Sequence, residues 1–102
     1  MIHVIAAIEV KPGQREAFLA EFRKLIAPVR AEAGCLEYGP AIDLPTDILG
    51  QIPERKDVVT IVEKWTSLDA LRAHLIQPHM NKYRERVKDI VVGLQLQILE
   101  PA

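Results

Sequence analysis

The chain is 102 residues long, 49% hydrophobic and 26% charged, with 13 Lys and Arg against 14 Asp and Glu. That length makes one domain, residues 1–102, with room for a core and little left for a separate binding module, and the balanced charge sets up no field to gather nucleic acid or an anionic membrane. A single cysteine, Cys35, forms no internal disulfide, and no basic leader followed by a long apolar stretch opens the chain, so a cytoplasmic protein is the expectation.

Ile2 to Val10 alternates with period two and carries apolar groups on both faces, which predicts a strand covered on both sides. Lys11-Pro12-Gly13 breaks it, and Phe18, Phe22, Leu25 and Val29 then recur at helical spacing. Pro28 is expected to kink the end of that helix, and Gly34 to supply its positive-φ stop. Cys35 to Asp43 reads as a strand with Gly39-Pro40 marking an edge or a bulge. Leu44 to Asp57, with Pro45, Gly50 and Pro53, reads as a long loop holding at most a short strand around Ile48 to Ile52.

Val58 to Trp65 is the clearest strand, β-branched and alternating. Thr66-Ser67-Leu68-Asp69 has the form of a capping box. The helix after it is expected to bury Leu68, Leu71 and Leu75 with His74 on the flank of that stripe. Pro78 suits the first position of another helix, whose stripe is Met80, Tyr83, Val87 and Ile90 or Val91. Gly93 is read as its end, and Leu94, Leu96 and Ile98 as a last strand. The order β-α-β-β-α-β predicts an α+β, ferredoxin-like split βαβ fold, a four-stranded antiparallel sheet with helices on one face. Ile5, Ala7, Val59 and Ile61, or their neighbours of opposite parity, would then leave an apolar outer face for a symmetric homodimer to cover.

The one Trp and two of the three His fall within Glu63-Lys64-Trp65 and His74-Leu75-Ile76-Gln77-Pro78-His79-Met80, beside a break between helices, so a pocket is sought there. His74 is either a catalytic base or a core-edge imidazole satisfied by Glu63, a carbonyl or water. Glu63 either orients His74 or pairs with a cation of a neighbouring subunit. Trp65 either fills the core or stacks on a flat ring; His79 either faces solvent or touches substrate; Tyr83, which shares its helix stripe with Met80, and Tyr38 are core residues whose hydroxyls reach toward a cavity. Five residues and a proline separate the two imidazoles, and Cys35 is distant, so no metal site is expected.

In order and spacing over nearly the whole chain, Val4-Ile5-Ala6, Lys11-Pro12-Gly13-Gln14, Glu32-Ala33-Gly34-Cys35, Glu63-x-Trp65 and His74-Leu75-x-x-Pro78-His79-Met80 resemble the antibiotic biosynthesis monooxygenase family, and within it the bacterial quinol monooxygenases. The resemblance implies a dimeric α+β barrel that oxygenates a quinol or similar electron-rich aromatic with molecular oxygen and needs no metal, flavin or haem. Such chemistry calls for an apolar slot, a base near neutral pKa and donors that hold the substrate's oxygens. His74 is the expected base, with Glu63 beside it and Trp65, His79, Met80, Tyr83 and Tyr38 around the substrate. The alternatives are a phospho-autoinducer-2-type isomerase, a haem-degrading monooxygenase and a non-catalytic dimeric small-molecule-binding module. Haem is disfavoured because Asn81 is the only Asn and Tyr83-Arg84 occupies the expected ligand region.

Overall fold

The computed structural model describes residues 1–102 and follows the order β1 (Ile2–Val10), α1 (Arg15–Arg30), β2 (Cys35–Ala41), β3 (Val58–Trp65), α2 (Leu68–Leu75), α3 (Pro78–Val87), β4 (Val91–Leu99). The strands form one sheet in the order β2-β3-β1-β4, every pair antiparallel. This is the predicted α+β, ferredoxin-like arrangement, with the predicted β1 and β3 at their stated limits. Val4, Ala6, Ile8 and Val10 of β1 and Val59, Ile61 and Trp65 of β3 bury against Phe18, Phe22, Leu25 and Val29 of α1. No helix is long and apolar enough to cross a membrane.

Several local expectations change. Residues 42–57 hold no strand; instead a two-pronged ion pair of Arg55 with Asp43, at 2.8 and 2.9 Å, pins the two ends of the segment together. β2 is an edge strand, as its proline requires, but its register shifts between Cys35 and Glu37, ahead of Gly39-Pro40. Pro28 sits inside α1, which nevertheless runs on to Arg30. Only the hydroxyl half of the capping box forms: Ser67 Oγ accepts from the Ala70 amide, while the Asp69 carboxylate turns to Arg72. Gly93 lies within β4 rather than ending a helix, because α3 stops at Val87 and Ile90 and Val91 already lead into the strand.

The exposed apolar surface also lies elsewhere than predicted. Leu94, Leu96 and Ile98 pair directly with Ile8, Ala6 and Val4, so they share the helix-side face of the sheet. They are nevertheless 58%, 51% and 51% exposed, because the helices cover the other three strands and leave β4 open. On the outer face Ile5, Ala7 and Val62 alternate with Thr60, Lys64, Gln95 and Gln97, a mixed surface rather than an apolar one.

Candidate active site

Antiparallel pairing sets the first part of the site. Tyr38 stands opposite Glu63 across β2 and β3, and Trp65 follows two residues on, so all three side chains enter the helix-side layer. Leu71 and His74, three apart on α2, are its two buried residues, whereas Leu68 and Leu75 are 41% and 39% exposed. The stripe is thus rotated from the expected one, and His74 is at its centre instead of its flank. Pro78 starts α3 as predicted, with Gln77 in the extended conformation before it, and Met80, Tyr83 and Val87 form its buried stripe. Behind α2, the turn after α1 is tied to the end of β3 by the Thr66 amide donating to the Gly34 carbonyl at 2.9 Å. Gly34 has φ +84°, and its Cα lies so close to Thr66 and Ala70 that any Cβ would collide with both. That close approach brings Glu32 beside His74.

A cavity of about 360 Å³ opens between this helix layer and the uncovered end of the sheet. Its walls are mainly apolar, with Phe22, Ile61, Met80, Leu94 and Leu96 among them. His74, Glu63, Tyr38 and Tyr83 supply polar groups within it, and Arg84 and Lys88 complete its lining. His74 Nδ1 lies 2.9 Å from Glu32 Oε2. A carboxylate only accepts, so Nδ1 carries the proton and donates, which leaves the Nε2 lone pair free on a ring that walls the cavity. Nε2 has no partner within the protein and is not sealed off from space. The same Glu32 oxygen is 2.8 Å from His79 Nε2 on the far side.

Burial disfavours the imidazolium and lowers the His74 pKa against the opposing pull of Glu32, so the ring is neutral near pH 7. Glu63 goes the other way: burial raises it to about 7, against the hydrogen bond from Trp65, with the charge of Glu32 adding to the rise. Burial likewise raises both Tyr38 and Tyr83, which remain phenols and can donate.

The structure brings His74, Glu63, Tyr38, Met80 and Tyr83 together on one cavity and leaves two predicted residues off it. Trp65 is fully buried and unavailable for stacking on substrate; its ring lies behind His74 with centroids 4.6 Å apart, and Nε1 donates to Glu63 Oε1 at 2.9 Å. His79 turns away toward Glu32. Within the chain Glu63 accepts from Trp65 and does not reach His74, whose orienting position Glu32 has taken. Glu32 is the residue to which sequence reasoning gave no role: it stood only in the Glu32-Ala33-Gly34-Cys35 motif, 42 positions from His74. The two imidazoles, though five residues and a proline apart, converge on Glu32 with their nearest nitrogens and its oxygen all within 4.8 Å of one another.

The sequence model of the family described as antibiotic biosynthesis monooxygenase matches residues 1–86. A protein of Escherichia coli strain K12 named "Probable quinol monooxygenase YgiN" is 39% identical, over 99% of this chain and 98% of its own. Among solved structures, a Pseudomonas aeruginosa protein superposes with TM-score 0.82 at 28% identity, covering 99% of this chain and 93% of that one. A Mycobacterium tuberculosis protein does so with TM-score 0.80 at 27% identity, covering 99% and 94%.

Proposed function

The chain belongs to the antibiotic biosynthesis monooxygenase family, and from that premise we propose that it is a cofactor-independent monooxygenase acting on a quinol or similar electron-rich aromatic. The observation that carries this reading is His74, neutral, its Nδ1–H tied to Glu32 and its Nε2 lone pair turned into an apolar cavity. A singlet quinol reacts slowly with triplet oxygen until it is an anion able to give up one electron. Nε2 takes the hydroxyl proton, and Glu32 stabilises the imidazolium formed. The Tyr38 and Tyr83 hydroxyls donate to the substrate's oxygens while the apolar walls exclude water. One atom of dioxygen enters the ring, giving a hydroxyquinone, and the other leaves as water. Glu63, with a pKa of about 7, is the cavity acid suited to return a proton to reduced oxygen.

The isomerase alternative would require cations converging on a phosphate. Arg84 is spent on the Leu75 carbonyl and Asn81, and Lys88 on Glu85, which favours the neutral aromatic substrate. The working unit in this reading is a homodimer, since Leu94 and Leu96 wall the cavity yet stand exposed at its open side.

The test mixes protein with a reduced naphthoquinone under anaerobic conditions, admits oxygen, and follows oxygen uptake together with hydroxyquinone formation. His74→Ala is expected to keep its fold and lose roughly a hundredfold in rate, as for other general bases. Folded His74→Ala turning over at the wild-type rate would overturn the assignment.

A further inference from the structure

Glu32, His74 and His79 come from three separate pieces of backbone, the turn after α1, the last turn of α2 and the first turn of α3. Glu32 Oε2, His74 Nδ1 and His79 Nε2 nevertheless lie within 4.8 Å of one another. We propose that these three atoms form a divalent-cation site, with Zn²⁺ the best-matched ion, and that filling it switches His74 off as a base. The second clause rests on the proposed function; the first does not.

Two imidazoles and a carboxylate are a donor set that holds zinc while leaving a fourth position open. That position has a place to face. Glu32 and His79 also line a second cleft, of about 310 Å³, with Ala31, Ala70 and Gln77 on its walls. His79 is 28% exposed there, so an ion has an entrance that avoids the substrate cavity. Tetrahedral zinc with bonds of about 2.0–2.1 Å separates its ligand atoms by roughly 3.3 Å. The two hydrogen bonds now in place measure 2.9 and 2.8 Å. Accommodation therefore means withdrawing the Glu32 carboxylate by about half an ångström and drawing together the two imidazole nitrogens, which now lie within 4.8 Å of each other, through side-chain torsions.

The charges around the cluster divide. His74 sits in the last turn of α2, whose carbonyl end favours a cation, while the start of α3 at His79 and the Arg84 guanidinium oppose one. Glu32 supplies the anion on which both imidazoles converge.

The switch follows from tautomer chemistry. In the metal-free cluster, Nδ1 of His74 holds the proton and Nε2 is the acceptor facing the cavity. An ion on Nδ1 moves that proton to Nε2, with no net loss of protons from the neutral ring. Nε2 then points a donor into the cavity and accepts nothing from a quinol. One imidazole thus serves either the ion or the substrate.

The experiment takes tag-free, EDTA-stripped protein and titrates Zn²⁺ against a chromophoric chelator, with Co²⁺ as a spectroscopic probe and thermal unfolding as a second readout. Expected are one ion per chain, tetrahedral cobalt bands and a zinc-dependent rise in unfolding temperature. Glu32→Gln and the more exposed His79→Ala should each weaken zinc binding by roughly a hundredfold, as removal of a ligand does. His3→Ala, at the start of β1 on the face of the sheet away from the helices, should bind as wild type does. Zinc should slow wild-type turnover in proportion to occupancy, reversibly with EDTA, and His79→Ala, whatever its own rate, should no longer lose that rate to zinc. Failure to bind one equivalent, or binding unchanged in both ligand variants, overturns the site. A filled site with undiminished turnover supports the site and counts against His74 as the base, so the two failures are distinguishable.

Discussion

Replacing Glu63 by Gln should remove most of one component of the protein's pH-dependent stability. The Glu63 residue is 6% exposed, lies on β3 between Ile61 and Trp65, and has the Trp65 indole as its one hydrogen-bond donor. Burial lifts its carboxyl from an ordinary 4.5 to about 7. The folded protein therefore holds this proton more tightly than the unfolded chain does. The resulting stabilisation is complete below about pH 4.5 and is lost as pH rises through about 7, where the folded protein must bury a charge. Across that window linkage gives about 3 kcal/mol, an upper bound for the fully ionised group. Gln keeps the bond from Trp65 through its amide oxygen and cannot ionise. Urea unfolding of both proteins at one fixed concentration, in EDTA, from about pH 5 to about pH 9, reads the difference directly. The two should nearly coincide at the acid end, relative to their offset, and diverge by up to about 3 kcal/mol in favour of Gln at the alkaline end. His74, whose burial-lowered pKa acts in the opposite sense, is present in both and cancels to first order. Parallel stability curves across the window would refute the placement of Glu63 as a buried, singly supported carboxyl.

Gly34→Ala should destabilise by roughly 2 to 4 kcal/mol in urea, combining the strain of a left-handed Ala with a Cβ only 2.6 Å from Thr66 Oγ1 and 2.7 Å from Ala70 Cβ; a loss below about 1 kcal/mol would mean that this turn is not packed as described. Light scattering at micromolar concentration should find a dimer, and Leu96→Glu, which places a charge on the exposed helix-side face of β4, should shift it toward monomer. A folded wild-type monomer would refute the dimer.

Periodicity carried most of the fold because it reports burial, although on β1 only the Val4, Ala6, Ile8 and Val10 face is buried and the expected cover on its other face is not found within the chain. It failed where tertiary contact decides. The α2 stripe was read from its leucines, yet Leu68 and Leu75 lie at its margins and an imidazole takes the middle, because Trp65 and Tyr38 offer His74 ring contacts with centroids 4.6 and 5.5 Å away. A local pattern weighs side-chain hydrophobicity and does not see that arrangement. The exposed apolar face was assigned to the wrong side of the sheet for a related reason: strand alternation says which residues share a face, but not that three helices cover only three of four strands. Glu32 is the plainest case. It belongs to no stripe, and only the close approach of Gly34 to Thr66 and Ala70 carries it to His74.

In the proposed reaction, those contacts give two glutamates, both with nearly enclosed side chains, opposite work around one imidazole. Glu32 meets two ring nitrogens on a single oxygen, so it has donors to support a negative charge and can set the tautomer of His74. Glu63 has one indole donor and apolar neighbours, so its proton is held to about pH 7 and is available for transfer. Exchanging the roles would fail on both sides. In the proposed reaction, a Glu32 equally short of donors would not hold Nδ1–H in place, and a Glu63 with further donors would have no proton to return to reduced oxygen. The division of labour comes from which donors the fold brings to each carboxylate, since the side chains themselves are identical.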